Sequence, residues 1–137
     1  MNLAEAMLAA DAGKVTAKAT KAFEVKRLSE LFGTPFILNL QQISTRRFKE
    51  LQESNVSVDN KGKANVDTYN LQLMLVVEGV TNKDFNDKAV LKHFGAATRK
   101  DLFEILLNAG EIADISQAVS ALCGFGDTNK NVEEIKN

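Results

Sequence analysis

Between Phe23 and Gln41 apolar and polar residues alternate in two runs, interrupted by Gly33-Thr34-Pro35. Phe23, Val25 and Arg27 would lie on one side of an extended chain and Glu24, Lys26 and Leu28 on the other. After the interruption, Phe36, Leu38 and Leu40 alternate with Ile37, Asn39 and Gln41. The spacing predicts two strands connected through residues 29–34, with Gly33 supplying backbone freedom and Pro35 tolerated at a strand start. An antiparallel hairpin of two strands is marginal in water, so the rest of the chain must supply helices to cover its apolar face.

The remaining segments read mainly as helix. Leu3, Ala6, Met7 and Ala10 recur at helical spacing, which predicts a short helix over residues 2–11 that stops near Asp11-Ala12-Gly13. So short a helix needs a docking surface, on its own domain or on a partner. Residues 13–20 are small and polar and read as a tether. Ser44 or Thr45 opens a helix carrying Phe48 and Leu51, and the polar stretch 54–65 reads as a loop in which Val56-Ser57-Val58 could form a brief strand. The apolar run Leu71 to Val80 fits either a buried strand or a buried helix; Asp67 as an N-cap and the spacing of Leu71, Met74, Leu75 and Glu78 favour a central helix. Ala89 to Phe94 suggests a further helix closed by Gly95. Thr98 and Asp101 form a capping pair ahead of Leu102, Phe103, Leu106 and Leu107, with Gly110 as the breaker. Ile112, Ile115, Val119 and Leu122 form the stripe of a last helix ending at Gly124. The fold class is α+β: a mostly helical single domain over 1–126, with the hairpin near its N-terminus and a polar tail over 127–137.

A chain of 137 residues buries roughly two thirds of its unfolded surface on folding and needs no staple. One cysteine, Cys123, cannot close an internal disulfide, and with one histidine the chain cannot supply a metal site of those ligand types. The N-terminus lacks a signal-peptide pattern, and the longest apolar run falls far short of the roughly 20 residues that span a bilayer. A net charge of −1 gives no general attraction to nucleic acid or to an anionic membrane. The charge is nonetheless uneven: Lys14, Lys18, Lys21, Lys26 and Arg27 surround a single Glu24, a pattern that reads as a solvated basic approach to the first strand or as a docking patch. No solenoid or heptad period is present.

Catalytic chemistry is not written in the residues. The chain has no glycine-rich phosphate loop, no His-Glu-x-x-His and no Cys-x-x-Cys. His93 sits where a helix should end and suits its dipole. Cys123 borders an apolar stripe as a small hydrophobe. Asp101 with Glu104, and Glu111 with Asp114, have helix-start spacing, where carboxylates favour the dipole and face water. No enzyme, cofactor or metal is expected.

Glu24 to Phe36, together with Leu106-Leu107-Asn108-Ala109-Gly110-Glu111-Ile112-Ala113 and Ala121-Leu122-Cys123-Gly124-Phe125, resembles the XkdN-like tail assembly chaperones of phages and prophages of Gram-positive bacteria. Leu3 to Asp11 looks like the opening helix of that family, and the run through Glu78-Gly79-Val80 is similar too. Asn82-Lys83-Asp84 stands where the family often has an Asp-Pro. The resemblance implies a chaperone that binds the tape measure protein, keeps it soluble and brings it together with tail tube protein. It further implies action in the host cytoplasm, absence from the mature virion, and a longer product made by programmed frameshifting near the end of the frame, which would begin in the tail after Gly126. A homo-oligomer is left open. No catalytic motif carries over, so the candidate partner contacts are Leu3 and Met7 on the opening helix, which otherwise cover the hairpin or the last helix. The alternatives of another class are a permanent tail or connector subunit and a small adaptor or regulatory module.

Overall fold

The computed structural model describes residues 2–126. Two short helices open the chain, α1 (Leu3–Ala9) and α2 (Ala12–Thr16), followed by strand β1 (Thr20–Glu24), helix α3 (Lys26–Phe32) and strand β2 (Ile37–Gln41). Strands β1 and β2 pair antiparallel, from Thr20 opposite Gln41 to Glu24 opposite Ile37. The antiparallel hairpin near the N-terminus and the mostly helical α+β class are as the sequence predicts.

Its connection is not. β1 starts and ends earlier than the alternation suggests, and the residues between the strands form α3. Val25 and Leu28 are both buried, three apart, a spacing that suits a helical turn better than a strand. The Ser29 hydroxyl ties the corner, donating to Glu24 Oε2 and accepting from the Phe36 amide, each at 2.8 Å. Gly33 then closes α3 in the left-handed conformation at φ 70°, its N–H donating to the Ser29 carbonyl.

Beyond β2 come α4 (Thr45–Ser54), a small antiparallel hairpin of β3 (Val56–Val58) and β4 (Ala64–Val66), α5 (Thr68–Gly79), a 3-10 turn (Lys83–Asn86), α6 (Lys88–His93), α7 (Arg99–Leu106) and α8 (Ala109–Leu122). The 54–65 stretch is therefore a strand and a tight turn leading into a second strand. Asp59 Oδ1 organises that turn by accepting from the Lys61 and Lys63 amides at 2.9 and 2.8 Å. The ambiguous run 71–80 is helical, with Asp67 accepting from the Asn70 amide as its cap. Gly110 does not break a helix. Leu107 turns extended, and Asn108 and Glu111 form a reciprocal capping box that starts α8 with Gly110 already in its first turn. The tail expected over 127–137 lies outside the described residues.

One core joins the β1–β2 hairpin to the helices that follow it. α5 packs along α8 and against α7 and α4, and the β1–β2 hairpin lies on α8. Leu28, Leu38, Leu40, Leu73, Val76, Leu102, Phe103, Ile115 and Val119 are all buried there. Val80 continues the arrangement as a bridge to Leu40 of β2.

Candidate functional site

The N-terminal helices differ from the other helices of the fold in that every residue of both is exposed. Each is held by its own cap. Asn2 Oδ1 accepts from the Glu5 amide at 2.8 Å to start α1, and Asp11 Oδ1 accepts from the Gly13 amide at 2.9 Å to start α2. The Thr16 hydroxyl donates to the Ala12 carbonyl at 3.0 Å. The tether expected over 13–20 is thus corrected: Gly13 to Thr16 belong to α2, Thr20 opens β1, and only the stretch 17–19 connects them. This arm meets the body at Ala19, whose carbonyl accepts from the Gln42 amide at 2.8 Å and whose amide donates to the Gln42 side chain at 3.1 Å.

Large apolar side chains crowd this arm with nothing over them. Leu3 is 77% exposed, Met7 68%, Leu8 87% and Val15 74%. Leu3 and Met7 lie one turn apart on α1, and both are exposed. Met7 lines a shallow apolar recess of about 400 Å³ between α1 and α2, together with Ala6, Ala10, Ala12, Val15 and Thr16; Leu3 is not part of that lining. Val15 is the residue of this recess that sequence reasoning missed, because the polar context of 13–20 masked a helix that the Asp11 cap reveals.

Several groups with catalytic potential are engaged structurally. Glu111 receives Arg27 in a fork, Nε at 3.0 Å and Nη2 at 2.7 Å, and Arg27 also donates to the Leu106 carbonyl at 2.7 Å. The hydrogen bond from Arg27 holds the Glu111 carboxyl below the usual carboxylate range. Glu104 accepts from the Tyr69 hydroxyl at 2.8 Å, which raises the Tyr69 pKa. Cys123 Sγ sits 3.4 Å from the Ile43 amide, half-buried, as a packing group. His93 is exposed in the last turn of α6, edge-on to Phe94. Among the described residues no group of histidine, cysteine and carboxylates is placed to hold a metal, and no helix is long and apolar enough to cross a membrane.

A family model described as the phage XkdN-like tail assembly chaperone protein matches residues 4–136 of the chain. Among solved structures, the crystal structure of the protein yqbn shares the fold, with a TM-score of 0.55 and 18% identity over 85% of this chain and 97% of that one. No curated protein sequence matches it significantly.

Proposed function

Because the chain belongs to the phage XkdN-like tail assembly chaperone family, we propose that its client is the tape measure protein, which it keeps soluble and delivers to tail tube subunits during tail assembly. The observation that supports this reading is the arm of α1 and α2, which buries none of its residues and sets Leu3, Met7, Leu8 and Val15 together in solvent, whereas the body, though it exposes Leu31, Val58 and Phe125 among others, has a core of its own. A tape measure is a long helical chain with apolar seams, and a short amphipathic element presented away from a folded body is suited to covering such a seam. Leu3 and Met7 are the contacts, joined by Val15 across the recess. Binding is reversible because tube subunits must replace the chaperone, so the protein acts in the bacterial cytoplasm and is left out of the finished particle. Tube protein is engaged through a frameshift-extended product that continues from the tail after Gly126; a slippery run in the codons around Lys136 and Asn137 is the corresponding genetic signature.

Co-expression with the tape measure protein tests this. The expected result is a soluble tape measure that co-elutes with the chain, and loss of both on replacing Leu3 and Met7 by aspartate. An insoluble tape measure beside a free chaperone overturns the client assignment. Recovery of the chain from purified particles would instead favour a permanent structural subunit.

A further inference from the structure

The two edges of the β1–β2 hairpin are treated differently. The Ala19 carbonyl accepts from the Gln42 amide and the Val25 amide donates to the Phe36 carbonyl, so the pairs that exchange hydrogen bonds are the odd-numbered residues of β1 with their partners. The backbone groups of Ile37 and Asn39 therefore point away from β1, and there they are met. The Thr81 amide donates to the Asn39 carbonyl at 2.9 Å, Asn82 Oδ1 accepts from the Asn39 amide at 2.7 Å, and Asn82 Nδ2 donates to the Ile37 carbonyl at 3.0 Å. On the opposite edge, the N–H and C=O groups of Thr20, Ala22 and Glu24 point outward by the same alternation, and among the described residues no strand or side chain caps them.

We propose that this open edge of β1 is a second docking site, which takes an extended, acidic segment of a partner protein as an added strand. An unpaired edge is a template for strand addition, and the main-chain hydrogen bonds supply affinity without demanding a sequence. Charge selects the occupant. Lys18 precedes the strand, Lys21 lies in it and Lys26 follows it; all three are exposed, and none joins an ion pair among the described residues. Glu24, the one carboxylate of the strand, is engaged by Ser29. The same lysines oppose a second copy. Antiparallel pairing of two β1 strands about Ala22 would set the two Lys21 side chains on one face and bring Lys18 of each copy toward the Lys26 that opens α3 of the other, and like charges brought together destabilise a pair. A recess of about 400 Å³ lined by Thr20, Lys21, Ala22, Asn39, Leu40 and Thr81 lies across the hairpin from β1 to its closed edge, next to the small Ala22. This site is separate from the α1–α2 arm and stands whether or not the arm holds a tape measure.

The test titrates the full chain with an end-capped peptide alternating valine and aspartate, with a valine–lysine peptide as control, and reads fluorescence anisotropy and amide hydrogen exchange. The acidic peptide should bind at least roughly tenfold tighter than the basic one, and should slow exchange at the Thr20, Ala22 and Glu24 amides. Ala22→Pro removes an outward N–H and blocks the edge while leaving the ladder to β2 intact, and should weaken binding roughly tenfold. If that variant is not folded, the surface pair Lys18→Glu with Lys21→Glu decides, and should reverse the peptide preference. The proposal is overturned if neither peptide binds, if folded Ala22→Pro binds as the parent does, or if the charge reversals leave the preference unchanged. Protection of the three amides that grows with protein concentration in the absence of peptide would overturn it in favour of self-pairing.

Discussion

Gly79, at the end of α5, faces Val119 of α8 so closely that a Cβ on Gly79 would fall 2.5 Å from Val119 Cγ2 and 2.8 Å from Cγ1. The two helices can approach this far only because one of them has no side chain at the crossing. Val119 is fully buried, so it cannot swing aside into solvent. Gly79→Ala should therefore destabilise the fold by about 1–3 kcal/mol, the usual cost of overpacking a filled core, despite the better helix propensity of alanine. The double variant with Val119→Ala should recover part of that loss. Urea denaturation of the single and double variants measures both, and a Gly79→Ala protein as stable as the parent would show that the crossing relaxes freely.

Arg99, at the start of α7, closes the end of α5 in another way. Its guanidinium donates to the Val77 carbonyl at 3.1 Å, the Asn82 carbonyl at 3.2 Å and the Val80 carbonyl, and lies over the Phe103 and Phe85 rings at 5.3 and 5.9 Å. Partial burial lowers its pKa, but guanidinium stays charged at any ordinary pH. Lysine keeps the charge but not the flat fork. Arg99→Lys should cost about 1–3 kcal/mol, because carbonyls at the helix end lose their donors and the ring stacking is lost. Thermal unfolding at neutral pH is the measurement, and an unchanged midpoint would count against the fork geometry.

Most helices with a capping residue were legible in the sequence, α2 behind Asp11 being the exception, and α3, which lacks one, was not. Asp67 and Thr98 announce α5 and α7 and do cap them, accepting from the Asn70 and Asp101 amides. α3 has no side-chain cap, and its buried Val25 and Leu28 sit in a stretch where apolar residues also happen to alternate, so a strand was the natural reading. The Asn108–Glu111 box was visible but overshadowed by Gly110, whose flexibility suggested a break that Leu107 in fact makes three residues earlier. Of the candidate contacts, Met7 followed from spacing on a single helix. Val15 required a second helix, and the open edge of β1 required knowing that Thr81 and Asn82, far away in the chain, close the other edge.

Glu111 links this corner to pH. Its folded-state pKa is depressed by the Arg27 hydrogen bonds, so the unfolded chain takes up the proton first as pH falls. The contribution to stability is thus fully present above the usual carboxylate range and declines as pH drops through the folded pKa. Glutamine preserves the capping box without the charge. Glu111→Gln should be less stable than the parent at neutral pH, and the gap should narrow from about pH 5 down to about pH 3. Urea midpoints across that range report it. A gap independent of pH would mean that the fork contributes through shape alone.

The arm and the body should respond oppositely to substitution. Leu3 and Met7 have no cover to lose, so Leu3→Asp with Met7→Asp should leave the thermal midpoint within about 2 °C of the parent, as expected for surface changes, while removing client binding. Leu28 is 1% exposed beneath the β1–β2 connection. Leu28→Ala should cost about 2–5 kcal/mol through the cavity it leaves and, in the fraction that stays folded, retain the client. Measuring unfolding and client co-elution on the same samples separates the two cases. If the aspartate pair lowers the melting point as Leu28→Ala does, the arm packs on the body in solution and its apolar side chains are not the free surface that the client reading requires.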